Sequence, residues 1–297
     1  MWFYYALATP AIYSVTNFID KFLVDKKVKT PMVLTVANGF IVACLGIVIG
    51  LLGGFRIIPA TQLLLILGAG VLLELYIWPY YEALKRDDAS RVVPFFQFVP
   101  VFVLLLSALI LKEALTSRQL FGFSFIFLGG LLLSLEKLEG GIFRPRKAMW
   151  FMLLSSFLYA SILVLFRFVA KDFGFWTTLT YEYIGTGIGA AILLLLPMIR
   201  NVFLHQLREV KQIAGLVVLN NGLGVAAQMA EGFALSIAVA PLVSIVGGTQ
   251  PVFVLFYGVL LSLRFPHIVK EDISISVIRV KLLTILLIAI GLYFVYL

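Results

Sequence analysis

Apolar runs of about 20 residues recur ten times along this 297-residue chain, separated by short charged or Gly/Pro-bearing breaks. They fall near 2–24, 31–52, 61–84, 90–111 and 117–135, and then near 148–170, 176–198, 212–235, 238–263 and 277–297. Each run is long enough to cross a hydrocarbon layer as a helix. Lipid offers no partner to an unpaired N–H or C=O, so the backbone there must be helical. With 62% of residues hydrophobic, 13% charged and a mean hydropathy of +1.08, the chain has far more apolar surface than a soluble fold of this length could hide. The expectation is an all-α integral membrane protein with ten transmembrane helices, multi-pass in a plasma (inner) membrane. Met1-Trp2-Phe3-Tyr4 has no positive n-region and no small-residue cleavage site, so it reads as the start of the first span and not as a removable signal.

Several function classes drop out. The breaks hold no hydrophilic domain, long linker or P-loop, so ATP cannot drive work on this chain. Cys44 is the single cysteine and lies in an apolar run, which excludes an internal disulfide and leaves the redox compartment open. His205 and His267 sit among polar residues, with no Cys/His cluster, no HExxH and no Gly-x-Ser-Gly with a histidine base. No catalytic residue, metal or cofactor is expected, and the chain does not read as an enzyme. The net charge of +8 comes from Lys and Arg scattered between apolar runs. That suits loops held at lipid headgroups and does not make a nucleic-acid face.

The two halves resemble each other. A shift of 151 lays Ala83-Leu84 on Ala234-Leu235, Ala89 on Ala240, and Pro100-Val101-Phe102-Val103 on Pro251-Val252-Phe253-Val254. A shift of 146 lays Tyr13 on Tyr159, Lys21 on Arg167 and Phe22 on Phe168, and Gly291 answers Gly130. This divides the chain into a first five-helix repeat at 1–139 and a second at 140–297. Because five is odd, the second copy enters the membrane from the opposite side. That makes an inverted repeat, the architecture of secondary transporters, with a solute site near the midplane.

The stretch Ala83-Leu84, Ala89-Ser90, Pro100-Val101-Phe102, Leu111-Lys112-Glu113-Ala114-Leu115-Thr116, Gln119, Gly122 and Gly129-Gly130 resembles the EamA repeat of the drug/metabolite transporter superfamily. The resemblance spans both halves. It implies a ten-helix carrier without a bound cofactor, commonly an exporter of amino acids, other metabolites or drugs. The second copy departs from the pattern: Arg264-Phe265-Pro266 replaces Lys112-Glu113-Ala114, and Pro241 replaces Ser90. Any gate or loop that Glu113 helps to close has no counterpart of the same chemistry in the second half.

Charged side chains at bilayer depth cost at least roughly 2.5 kcal/mol, so Glu74, Glu182 and Glu231, each inside an apolar run, need a reason. Each is either a helix–helix hydrogen-bonding group or part of a solute cavity. All three are also candidates for proton coupling, since a carboxyl that loads and releases a proton can link solute movement to a proton gradient. In the eighth span Asn220, Asn221, Gly224, Gln228 and Glu231 fall within about a 100° sector of a helix, giving one polar stripe. In the third, Glu74, Trp78, Tyr81 and Glu82 set acid beside aromatic surface, a face suited to a cation or an aromatic solute. Trp78 and Tyr81 also fit simple interfacial anchoring.

Gly185 and Gly189 read as a helix-packing stripe. Tyr13, Asn17 and Asp20 line one face of the first span, but Asp20-Lys21, near a span end, reads as snorkelling and stays outside the core site. Pro94, Gln97 and Pro100, with Gly247, Gly248, Gln250 and Pro251, mark spans four and nine as bent or able to present backbone to a cavity.

The expected substrate-binding set is therefore Tyr13, Glu74, Trp78, Gln97, Asn221, Gln228, Glu231 and Gln250, in a cavity between spans 1, 3, 4, 6, 8 and 9, with spans 5 and 10 outside. A carrier exporting a small cationic, zwitterionic or drug-like metabolite by alternating access fits this best, and a passive facilitator is the alternative. The partners expected are the solute, the bilayer and protons; a monomer and a homodimer both fit. Of the 23 Lys and Arg residues, only Arg56, Lys112, Arg118, Arg167 and Lys171 fall in the even-numbered breaks. The positive-inside rule thus places both termini outside, whereas the resemblance implies termini inside.

Overall fold

A computed structural model describes residues 1–27, 30–86, 92–135, 147–264 and 275–296, and every regular element among them is helical. The elements are α1 (Trp2–Lys26), α2 (Pro31–Gly53) and α3 (Ala60–Arg86), then a 3-10 turn (Val93–Gln97) that runs into α4 (Phe98–Leu106) and a π-helical end (Ser107–Leu111). After these come α5 (Ser117–Leu135), α6 (Lys147–Phe173), α7 (Phe175–Leu195), α8 (Pro197–Gln212) and α9 (Ala214–Ile237). The last are α10 (Ala240–Gly247), α11 (Gln250–Arg264) and α12 (Ile275–Tyr296).

Five stretches, Pro31–Gly53, Ala60–Arg86, Lys147–Phe173, Phe175–Leu195 and Ala240–Ser262, are long and apolar enough to cross a membrane by length and composition, and Phe95–Leu111 and Leu282–Tyr296 are shorter apolar stretches. Helices α1 and α9 are as long but more polar. Their polar side chains, among them Thr9, Asn17 and Asp20 on α1 and Asn220, Asn221 and Glu231 on α9, are buried against other helices.

The seventh run does not continue to residue 198 as its hydropathy suggested. Leu196 is extended (ψ 114°), as a residue before proline prefers, and Pro197 opens a separate amphipathic helix, α8. Val202 and Phe203 on α8 pack against the core, and the Gln206 side-chain amide donates to Thr30 Oγ1 at 3.0 Å. The breaks expected in spans four and nine are present. The first is the 3-10 turn holding Pro94 and Gln97. The second falls at Gly248-Thr249, where the Thr249 N–H bonds Val246 O at 3.0 Å before α11 begins.

Helix α5 packs along α12, α2 along α7, α1 along α9, and α3 along both α6 and α7. Glycine sets the closest approaches. A Cβ on Gly70 would collide with the Glu182 carbonyl and meet Thr186 N at 2.6 Å, and one on Gly185 would collide with the Leu67 carbonyl. Gly70→Ala is therefore expected to push α3 from α7 and destabilise the protein by about 1–3 kcal/mol, read as a lower melting midpoint in detergent. Gly68→Ala, facing open space, is the matched control.

Helix α1 runs antiparallel to α9: Thr9 Oγ1 donates to Ala227 O at 3.3 Å, while Asn220 Nδ2 donates to Asp20 Oδ1 at 2.7 Å. The rings of Phe3 and Tyr296 meet at 4.9 Å, so the start of α1 and the end of α12 lie on the same side.

Candidate solute cavity

A cavity of about 130 Å³ lies between α1, α2, α3, the 3-10 turn and α4, α6, α9 and the α10–α11 break. The second span takes part through Asn38 and Val42, which the sequence reading had left out. One end of the cavity is built on Glu231 from α9. Tyr159 of α6 donates a short hydrogen bond to Glu231 Oε2, and the Tyr13 hydroxyl of α1 lies 3.4 Å from that of Tyr159. Aromatic rings wall the interior, with Tyr76 against Tyr159 at 4.9 Å and Tyr80 against Phe96 at 5.5 Å.

The opposite end is built on Asp20. Its carboxylate accepts from Tyr80 and Tyr81 hydroxyls, each at 3.2 Å, and from Asn220 at 2.7 Å. Asn221 Nδ2 donates to Asn38 Oδ1 at 2.8 Å, and Asn38 Nδ2 to Tyr81 Oη at 2.7 Å, so α1, α2, α3 and α9 are joined in one polar network. Pro79 helps to aim these tyrosines. It breaks the hydrogen-bond ladder of α3, and Ser155 of α6 donates to the neighbouring Tyr76 carbonyl at 3.1 Å. No Lys, Arg or His lies among the described lining residues.

Beside the Glu231 end a side pocket is lined by Glu182 of α7, with Tyr159, Gln228 and Glu231 shared between the two spaces. Towards the side of the α1 N-terminus, the chain is clamped. Lys112 takes a left-handed conformation (φ 55°) after the π-helical end, which turns Glu113 back towards the bundle. Glu113 Oε1 accepts from Arg167 Nε at 2.9 Å, and Oε2 accepts from the Ala240 N–H at 3.0 Å, at the start of α10. Arg167 also donates to the Leu235 and Ser236 carbonyls at 2.9 and 3.3 Å, satisfying the end of α9. Just beyond, Thr116 and Gln119 form a reciprocal capping box at the head of α5.

Tyr13, Asn221, Gln228, Glu231 and Gln250 of the expected set line the cavity, but Glu74, Trp78 and Gln97 do not. Glu74 is fully buried, packed against Gly39 of α2 and Gly189 of α7, with neither carboxyl oxygen hydrogen-bonded. The small residues on α2 and α7 draw those helices onto that face of α3. Trp78 turns to α6, edge-on to Phe151 at 6.2 Å, and the Arg86 guanidinium stacks on the same ring at 4.6 Å. The shared acid–aromatic face of Glu74 and Trp78 is thus a packing face. Gln97 fills the space left by Gly130 and donates to Gly248 O at 2.6 Å, bracing one break against the other.

Asp20, read as a snorkelling residue, is instead buried within the cavity wall. The shared face of Tyr13, Asn17 and Asp20 on α1 was legible from their spacing; what the sequence could not show is that Tyr80, Tyr81 and Asn220 converge on Asp20.

These observations describe a multi-pass membrane protein with a polar cavity between its helices. Residues 1–135 match the EamA-like transporter family, which belongs to the drug/metabolite transporter superfamily. This family moves small solutes across membranes. A solved crystal structure 16% identical superposes with a TM-score of 0.66, covering 99% of this chain and 94% of that one; at this identity the likeness concerns the fold alone. No curated protein matches the sequence.

Proposed function

We propose that this protein is a secondary carrier of ten transmembrane helices, built as two inverted five-helix repeats, that moves a small organic cation or zwitterion out across the plasma membrane by alternating access through this cavity. The observation that carries the reading is that repeat-equivalent residues touch each other in or directly behind the cavity wall. Tyr13 and Tyr159, related by the shift of 146, pair by their hydroxyls, and Gln97 bonds Gly248, its equivalent at the shift of 151. In a two-fold arrangement, equivalents meet only on the axis, and alternating-access carriers place the solute there. The ends of the helices fit the same relation. Lys21 donates to Leu84 O at 2.8 Å, the counterpart of Arg167 on Leu235 O.

The Glu113 clamp closes the terminal side, and its opposite number is Lys21 paired with Asp25 at 3.1 Å. On the charge count, the Asp20 end faces the cytoplasm. Glu231 and Glu182, sharing the side pocket, are the groups placed to carry a coupling proton beside the solute; Glu74 lies apart from both spaces. The test is purified protein in proteoliposomes, assayed for counterflow with a panel of labelled amines, amino acids and neutral metabolites. Saturable counterflow is expected for at least one cationic or zwitterionic member. Non-saturable, downhill-only flux would point to the facilitator instead, and no flux at all would overturn the transport reading.

A further inference from the structure

Resting on the carrier reading above, we infer that the cavity is built for a linear dication, an α,ω-diamine or longer polyamine whose two ammonium groups are held by Asp20 at one end and Glu231 at the other. The two carboxyls belong to a single continuous space yet to separate networks: Asp20 with Tyr80, Tyr81 and Asn220, and Glu231 with Tyr159.

Their separation follows from helix geometry. On α1, Asp20 is seven positions from Tyr13, which contacts the Glu231–Tyr159 pair, or about 10 Å along the axis. On α9, Asn220, which holds Asp20, is eleven positions from Glu231, or about 16 Å. Allowing about 2.8 Å for a charge-assisted hydrogen bond at each end leaves roughly 5–10 Å between the two nitrogens. An extended chain advances about 1.25 Å per bond, and n methylenes give n + 1 bonds between the nitrogens, so this suits roughly three to seven methylenes.

Three observations favour a dication over a zwitterion. No Lys, Arg or His among the described lining residues is present to receive a substrate carboxylate. The buried Asn220 Oδ1, lining the cavity beside Asp20, has no hydrogen-bond partner and is an acceptor that an ammonium N–H can fill. The wall between the two carboxyls is made of tyrosine and phenylalanine rings, including Tyr76, Tyr80, Phe96 and Tyr159, which hold a methylene chain by apolar contact and a cation by their faces. Asn17 Nδ2, also buried and unpartnered, is the exception. It is a donor, so a hydroxyl or ether oxygen in the chain would satisfy it, whereas an ammonium, which has no lone pair, would not.

The experiment is a length series on the intact protein. Monoamines, α,ω-diamines from about three to about twelve methylenes, and linear triamines compete in the proteoliposome counterflow assay and bind the detergent-solubilised protein in calorimetry. Affinity is expected to peak between roughly three and seven methylenes, to fall off for longer chains, and to exceed that of the matched monoamine by at least about tenfold. In Asp20→Asn, which keeps the hydrogen-bonding shape, the peak should flatten so that diamines bind like monoamines. Equal binding of mono- and diamines by the parent protein, or counterflow confined to zwitterionic amino acids, overturns the dication inference and leaves the carrier standing. Diamine binding with the expected length optimum but no counterflow supports this site and overturns the carrier instead. Absence of both overturns both.

Discussion

Glu231→Gln is expected to cut counterflow of a cationic solute by about ten- to hundredfold with the protein still expressed and folded. The substitution keeps the shape and leaves an acceptor for the Tyr159 hydroxyl, so the link to α6 survives while the negative charge is lost. What disappears is a charge-assisted hydrogen bond in a space shielded from water, worth about 1.5–3 kcal/mol. The effect should fall on solute affinity and be far smaller for a neutral solute. Trp78→Ala is the control, because Trp78 faces Phe151 outside the cavity and its removal should leave solute affinity at the parent value. Full cation flux in Glu231→Gln would remove Glu231 from the solute path.

Glu113→Gln should open the terminal side. The clamp joins three elements at one carboxylate, and both partners are largely shielded, with side-chain exposures of 13% for Glu113 and 15% for Arg167. Neutralising Glu113 strands the guanidinium against the end of α9 and weakens the hold on the Ala240 N–H, costing about 1.5–3 kcal/mol of the clamped state. In a Cys44→Ser background, Ser244→Cys places a thiol on the cavity wall. Its labelling by an impermeant maleimide added from the terminal side is expected to rise by about tenfold or more when Glu113→Gln is introduced. Unchanged labelling would show that the clamp fixes a loop and gates nothing. The double variant with Arg167→Met should label no faster than either single one, because each breaks the same contact.

Long apolar runs and Gly/Pro punctuation made the helices readable, including the interruptions in spans four and nine, because backbone satisfaction in lipid and the missing proline N–H act locally. The polar stripe of α9 was equally legible, since one helix face suffices to display it. What escaped were facts of orientation about the helix axis. Glu74 and Trp78 share a face by spacing, but Gly39 and Gly189 admit α2 and α7 against Glu74 while Phe151 receives Trp78, and no feature of α3 itself announces those partners. Asp20 was discounted for its place beside Lys21 near a span end. Its role needs Tyr80, Tyr81 and Asn220 from two other helices, and that convergence exists only in three dimensions. Helix α8 was lost because its mixed composition reads as a charged break unless its periodicity is examined.

Ile213 alone separates α8 from α9, the helix that carries Asn220, Asn221 and Glu231. Helix α8 is amphipathic, with Val202 and Phe203 packed on the core, Gln206 tied to Thr30 at the head of α2, and Arg200 and Lys211 exposed, the make-up of a helix that lies in the headgroup layer. In a carrier that works by alternating access, a swing of α9 would pull on this docked helix. The bilayer would then load the cycle of the proposed carrier, and tighter headgroup packing or a more anionic leaflet is expected to slow turnover while solute affinity stays the same.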